Sequence, residues 1–294
     1  MSILNNLASV GALVPAALIL GLLIGSFLNV VIYRLPKMLE RQWRAECVAL
    51  TGASATPEQP EAPFNLVTPA STCPHCGHRI RPWENIPALS YLLLRGRCSQ
   101  CRQRISVRYP IVEVVTGILS AALAWHFGPT PQLLAALVLT WGLIALTMID
   151  ADTQLLPDVL TLPLLWLGLL VNTQGLFTDL NSAVWGAAAG YLSLWTVYWL
   201  FKLITGKEGM GYGDFKLLAA LGAWMGWQML PLIILLSSLV GAVVGIAMII
   251  ALGRDRQIPI PFGPYLATAG WIALLWGEPI VNAWLGSGAA GGGF

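Results

Sequence analysis

The sequence has little charge. Of 294 residues only 10% are Asp, Glu, Lys or Arg, against roughly 25% in an ordinary soluble domain. A chain so short of polar side chains cannot cover a compact soluble core. The net charge of +2 excludes binding to nucleic acid by bulk positive charge, and no nucleic-acid partner is expected. Histidine is scarcer still, with three in the chain. None stands in an HExxH pattern, which excludes the zinc-protease helix built on that spacing. Five cysteines in so long a chain do not make a small disulfide-stapled secreted domain. No Lys or Arg precedes Arg34 and no cleavage site is evident, so no removable signal peptide is expected.

What fills the chain instead is apolar. Hydrophobic residues make up 56% of it, 13 of them Trp, and the mean hydropathy is +0.71. Apolar runs with at most one charged residue apiece at about 11–33, 110–127, 132–149, 158–176, 183–201, 215–229, 230–252 and 262–281 are candidates for helices crossing a hydrocarbon layer ~30 Å thick. The fold class expected is therefore an all-α polytopic membrane protein of about eight transmembrane helices.

The one long polar segment, 34–109, carries eleven basic residues and five acidic ones. The positive-inside rule places it in the cytoplasm. Eight spans threaded from that anchor put Lys202, Lys207, Lys216, Arg254 and Arg256 on the same side and leave both termini outside. The domain plan is a first helix at 1–33, a cytoplasmic zinc-binding loop at 34–109, a membrane bundle at 110–282 and a flexible tail at 283–294. Within the loop, the Pro- and Ala-rich stretch 51–63 reads as flexible. The glycine pairs Gly21/Gly25, Gly186/Gly190 and Gly241/Gly245 read as sites of close helix packing.

Four cysteines form two matched pairs, Cys73-Pro-His-Cys76 and Cys98-Ser-Gln-Cys101. Two such turns can surround a Zn²⁺ ion tetrahedrally at Zn–S distances of ~2.3 Å, leaving no open position, so the expected role is structural. A cytoplasmic location argues against stable disulfides. His75 and His78 read as surface residues beside the pairs, and Cys47 as an ordinary free thiol.

Acidic groups near or in membrane spans are costly and call for a functional hypothesis. Asp150 ends the run WGLIALTMID, and Asp214 closes Gly209-Met-Gly-Tyr-Gly-Asp214. The threaded topology sets both at the cytoplasmic face. Two carboxyls held together in a low-dielectric site share one proton, so that one serves as general base toward water and the other as acid toward a carbonyl. The glycines beside Asp214 would let backbone bend and a substrate strand approach. Asp158 after Pro157 fits a helix start, Asp152 points to another side of any continuing helix, and Glu113 would pair with Arg108 or reach the interface.

The segments Gly25-Ser-Phe-Leu-Asn-Val-Val-Ile-Tyr-Arg-Leu-Pro36, the two Cys pairs, Arg81-Pro-Trp-Glu-Asn-Ile-Pro87, Ile149-Asp-Ala-Asp-Thr-Gln-Leu-Leu-Pro-Asp158, Gly209-Met-Gly-Tyr-Gly-Asp214 and Pro261-Phe-Gly-Pro264 stand in the order seen in type IV prepilin peptidases. The chain resembles that family from residue 20 to about 280. The resemblance implies a bifunctional enzyme of the bacterial inner membrane, working on prepilins and on the pseudopilins of type II secretion. It would cleave their basic leader on the cytoplasmic side after a Gly, then methylate the new N-terminal amine with S-adenosylmethionine. It also implies Asp150, rather than Asp152, with Asp214 as the catalytic pair, and Cys73, Cys76, Cys98 and Cys101 as zinc ligands. No GxGxxG fingerprint is present and no residue is assigned to the methyl donor, Gly96, Arg95 and Glu84 being no more than guesses for that region.

Two other classes compete. A transporter binding ions through its carboxylates needs polarity in mid-membrane, whereas Asp150 and Asp214 lie at one edge. A non-catalytic pilus or secretion scaffold would keep substrate processing intact when both aspartates are changed.

Overall fold

The computed structural model describes residues 2–52, 63–252 and 260–289. Nine α-helices follow in order among them: α1 Ser2–Thr51, α2 Leu89–Leu93, α3 Arg108–Phe127, α4 Pro131–Thr153, α5 Asp158–Asn172, α6 Leu180–Thr205, α7 Tyr212–Met225, α8 Leu230–Leu252 and α9 Gly263–Ala289. No strand occurs among the described residues beyond two isolated antiparallel bridges. The all-α membrane architecture expected from composition is what is found. Each of the eight apolar runs became a helix. Among the described residues five helical stretches, rather than the eight expected, are long and apolar enough to cross a membrane, namely Gly11–Thr51, Arg108–Phe127, Pro131–Thr153, Leu180–Thr205 and Trp227–Met248.

Two boundaries differ from expectation. The first helix does not end where charge begins. It continues through Arg34 to Thr51, with Arg44 donating to Glu40 one turn earlier at 2.6 Å. At the other end, α9 runs to Ala289, into the segment expected as a flexible tail. Most of the stretch expected to be flexible at 51–63, the tail residues 290–294, and Arg254 and Arg256 from the charge count lie outside the described residues.

The chain divides into two compact units, Met1–Trp141 and Gly142–Phe294. In the first, α1 packs along α3. The buried positions of α3 are Val112, Glu113, Thr116, Gly117, Ser120, Leu123 and Ala124, a spacing of three and four that makes one face. Gly21 and Gly25 let the two helices meet, since a Cβ on Gly25 would stand 2.7 Å from the Glu113 Cα. The polar groups on this face are satisfied locally. Thr116 Oγ1 donates to the Val112 carbonyl and Ser120 Oγ to that of Thr116, each at 2.7 Å.

In the second unit the short helix α7 is buried on all sides from Leu217 to Met225, with Phe215, Leu217, Leu218, Leu221 and Trp224 fully enclosed. Its 14 residues rise only ~21 Å, less than the hydrocarbon layer. Gly186 and Gly190 of α6 bring that helix into backbone contact with Gly222 and Leu218 of α7. Thus these glycine pairs do pack helices of one chain together. At the far end of α7, Asn172 at the end of α5 is 1% exposed. Its amide donates to the Ala223 and Trp224 carbonyls at 2.8 and 2.9 Å, and its oxygen accepts from Phe177 N–H and Thr178 N–H.

Asn172→Ala removes all four partners at once and strands buried backbone groups. The expected loss is about 2–4 kcal/mol, read as a lower thermal unfolding midpoint in detergent. An unchanged midpoint would show that the α5–α7 junction does not depend on this side chain.

Candidate active site and metal centre

Asp150 lies near the C-terminal end of α4, and Asp214 is in the first turn of α7. They are 5% and 6% exposed. Asp150 Oδ2 accepts a hydrogen bond from Gly263 N–H at 2.9 Å, so the first residue of α9 holds the carboxylate at one oxygen. Space is the reason for glycine here. A Cβ on Gly263 would lie 2.7 Å from that same oxygen and 3.1 Å from Leu156 Cδ2.

Leu156 also closes the approach to the second acid. A Cβ on Gly213 would stand 2.6 Å from Leu156 Cβ. The glycine next to Asp214 therefore serves close packing, while Gly211 is the more open position, where a Cβ would meet Asp214 Oδ2 at an ordinary 3.7 Å. The charge of Asp150 acts on Asp214, and Asp214 Oδ1 has no hydrogen-bond partner among the described residues. Two buried carboxyls thus flank Leu156 in sequence, one tethered by a backbone N–H and the other with an oxygen that has no hydrogen-bond partner among the described residues.

The other acids have different surroundings. Asp152 is exposed on the last turn of α4. Asp158 opens α5, as its place after Pro157 suggests, and both its oxygens accept from Lys216 Nζ at 2.7 Å. This pair ties the starts of α5 and α7 together within the stretch that carries Asp214. Lys216 was counted in the sequence only as a topogenic charge, because nothing there indicates which acid it meets. Glu208, before the glycine motif, is bound by Lys202 Nζ at 2.8 Å, and that ammonium holds its carboxyl below the usual range.

In the first unit, the two cysteine turns fold alike. Cys73 N–H donates to the His78 carbonyl and Gly77 N–H to that of Cys73. Cys98 N–H donates to the Gln103 carbonyl and Arg102 N–H to that of Cys98. Antiparallel bridges Thr72–Arg79 and Arg97–Arg104 flank the turns, and the equivalent residues Gly77 and Arg102 have φ of +70° and +58°.

All four Sγ atoms lie within 4.8 Å of one another, with Cys73 to Cys101 at 3.8 Å and Cys76 to Cys98 at 4.0 Å. A ZnS₄ tetrahedron has edges of roughly 3.8 Å, so the donor set fits that ion. Backbone N–H groups of Cys76 and His75 pull the Cys73 thiol down to about 6. The Cys101 thiol is pushed up to about 11: the Gln103 amide lowers it, but desolvation and the three neighbouring sulfurs outweigh that. Crowding of this kind is what a cation relieves.

His75 is exposed. His78 Nε2 lies 3.1 Å from Glu84 Oε2, and the same oxygen accepts from Arg81 N–H at 2.9 Å. That amide first, then Ser99 and His78, holds the Glu84 carboxyl near 2. Its contribution to loop stability is therefore complete above the ordinary value of 4.5 and is lost as pH falls toward 2. Glu84 is accordingly a structural brace of the Pro82–Asn85 turn. Gly96 at φ +65° sits against the Tyr91 ring, where a Cβ would come within 2.7 Å of its hydroxyl. Cys47 is a free, exposed thiol on α1.

The chain is thus helical and apolar, with two buried aspartates in one unit and four clustered thiols in the other. Residues 19–127 match the bacterial peptidase A24 N-terminal domain, and residues 137–246 match the type IV leader peptidase family. Over 286 residues, 97% of this chain and 98% of the relative, the sequence is 62% identical to a prepilin leader peptidase/N-methyltransferase of Pseudomonas aeruginosa. Proteins of the same name from Stutzerimonas stutzeri and Aeromonas hydrophila are each 61% identical, over 93% and 90% of this chain and 94% and 91% of their own. No solved structure matches the chain. The chain belongs to the type IV leader peptidase family.

Gly263→Ala should displace the Asp150 carboxylate while leaving the helices in place. The expected result is a fall in peptidase activity of ~100-fold with an unchanged helical circular dichroism spectrum. Activity within a factor of about two of wild type would remove this contact from the site.

Proposed function

We propose that this chain cleaves the basic leader of type IV prepilins and type II secretion pseudopilins and then N-methylates the residue so exposed, as the names of its relatives describe. The observation that supports the cleavage half is the pair Asp150 and Asp214, both enclosed, with Leu156 packed against the glycine beside Asp214 and the glycine that tethers Asp150. Two acids so placed hold one proton between them. The ionised carboxylate takes a proton from water as its oxygen attacks the scissile carbonyl. The protonated carboxyl gives its proton to the carbonyl oxygen. Collapse of the tetrahedral intermediate breaks the C–N bond, the departing amine takes the proton of the first carboxyl, and a hydroxyl of the intermediate returns its proton to the second carboxylate. Gly263 N–H keeps Asp150 oriented throughout, and Lys216, neutralised by Asp158, adds no free charge beside the pair.

S-adenosylmethionine supplies an electrophilic methyl group for the second reaction, with the new N-terminal amine as acceptor. Cys73, Cys76, Cys98 and Cys101 would hold one Zn²⁺ with no open position, which fixes the loop rather than activating a substrate. The basic loop supports a bacterial inner-membrane protein with this loop and the aspartates at the cytoplasmic face, where a basic leader remains when the apolar part of a prepilin enters the bilayer.

The test is cleavage of a prepilin in detergent or proteoliposomes. Asp150→Asn and Asp214→Asn should each lower the rate by ~10²- to 10⁴-fold without loss of folding. Full activity in either variant would take that residue out of the mechanism. The wild-type product should gain the mass of one methyl group only when S-adenosylmethionine is supplied. Metal analysis should find about one zinc per chain, falling below about half in Cys98→Ser. A metal-free wild type that remains folded would contradict the zinc reading.

A further inference from the structure

The helix α2 turns its apolar side away from its own unit. Leu89, Leu92 and Leu93 are spaced three and four apart, which places them on one face. They are exposed, Leu92 and Leu93 by 72% each. The inward side is held by Tyr91, whose hydroxyl donates to the Ile105 carbonyl at 3.4 Å. Trp83 and Ile86, just upstream, are exposed as well. Such a run of large apolar side chains facing outward is not how a water-facing loop is built.

The depth of α2 is fixed by one hydrogen bond. Ala88 N–H, immediately before the helix, donates to Glu113 Oε2 at 2.8 Å. Glu113 is buried inside α3, five residues past its start at Arg108, and also bonds the Ser26 hydroxyl on α1. α3 is long and apolar enough to span the membrane. A backbone group bound to its second turn lies at the level where the hydrocarbon layer begins. The charges around the patch are basic: Arg79, Arg81, Arg95 and Arg97 against Glu84 alone over residues 79–97. An open cleft lined by His78, Arg79, Arg81 and Asn85 lies on the segment leading into it. Apolar side chains and Trp at that depth, rimmed by Arg, match the interface of a bilayer containing anionic phospholipid.

We propose that the outward face of α2, with Trp83 and Ile86, is embedded in the interfacial layer of the membrane, with the surrounding arginines on anionic phospholipid headgroups. Glu113 is then the positioning residue that sets the insertion depth of the loop. This surface is independent of the aspartate pair and does not rest on the peptidase reading.

The test places the photo-crosslinking residue p-benzoylphenylalanine at Leu92 or at Leu93 in the full-length protein. Leu50, 87% exposed near the end of α1, is the control. It lies sixteen residues beyond Arg34, ~24 Å further along the helix. The variants are reconstituted in vesicles of phosphatidylcholine with or without phosphatidylglycerol, irradiated and weighed intact by mass spectrometry. Positions 92 and 93 should carry a phospholipid adduct at ~3-fold or more the yield at position 50, and phosphatidylglycerol should raise that yield about twofold. Two results would overturn the proposal: adducts at 92 and 93 no more frequent than at 50, or crosslinking only to an added prepilin or to a second copy of the chain. Equal yields in both lipid mixtures would overturn its anionic part.

Discussion

Leu156 fills the gap left by two glycines, and the arrangement of the acids depends on that fit. Both Gly213 and Gly263 press on Leu156: a Cβ on Gly213 would stand 2.6 Å from Leu156 Cβ, and one on Gly263 would stand 3.1 Å from Leu156 Cδ2 and 2.7 Å from Asp150 Oδ2. One precedes Asp214, and the other donates its N–H to Asp150. Because interiors are packed without slack, the leucine sets the spacing of the backbone on both sides. The acids inherit that spacing. Burial alone would make each carboxyl costly, and nearness alone would let them drift apart in water. The combination of a dry site with fixed backbone keeps two groups together that otherwise repel.

α7 shows the same economy at the scale of a helix. Being short and largely enclosed by protein, it does not have to match the bilayer, so the position of its first turn, which carries Asp214, is set by packing. Asn172 closes its far end by bonding the Ala223 and Trp224 carbonyls, and the Trp224 indole donates to the Leu164 carbonyl at 2.8 Å. The unpaired carbonyls at a helix end are a liability in an apolar setting. Here they are met by side chains from α5, while α6 approaches through glycines. In the other unit the corresponding task falls to Glu113, which answers a backbone N–H of the loop from inside a membrane helix.

Much of this could be read from residue order alone. Hydropathy located all eight apolar helices, since apolar runs near 20 residues have few alternatives. The two CxxC pairs pointed to one four-sulfur cluster, and the sulfurs do meet. Of the acids singled out from the sequence, Asp150, Asp214 and Glu113 are enclosed, whereas Asp152 stays exposed. What escaped were features with no local mark. Charge at Arg34 announces the edge of the membrane but not the end of a helix, so the extension of α1 to Thr51 went unseen. Leu156 and Gly263 carry no titratable group. The partners of Lys216, Asn172 and Glu113 lie 58, 51 and 25 residues away, and single-sequence periodicity does not reach that far.

The two cysteine turns repeat each other in backbone hydrogen bonding as well as in sequence, Cys-Pro-His-Cys-Gly-His-Arg-Ile beside Cys-Ser-Gln-Cys-Arg-Gln-Arg-Ile. Each half supplies two donors, so neither can satisfy a four-coordinate ion by itself. A nascent chain that has made only the first turn holds half a coordination shell. The region between Cys73 and Cys101 is thus built as two similar turns that each bring two of the four clustered sulfurs, and a four-thiolate ion would tie them to each other.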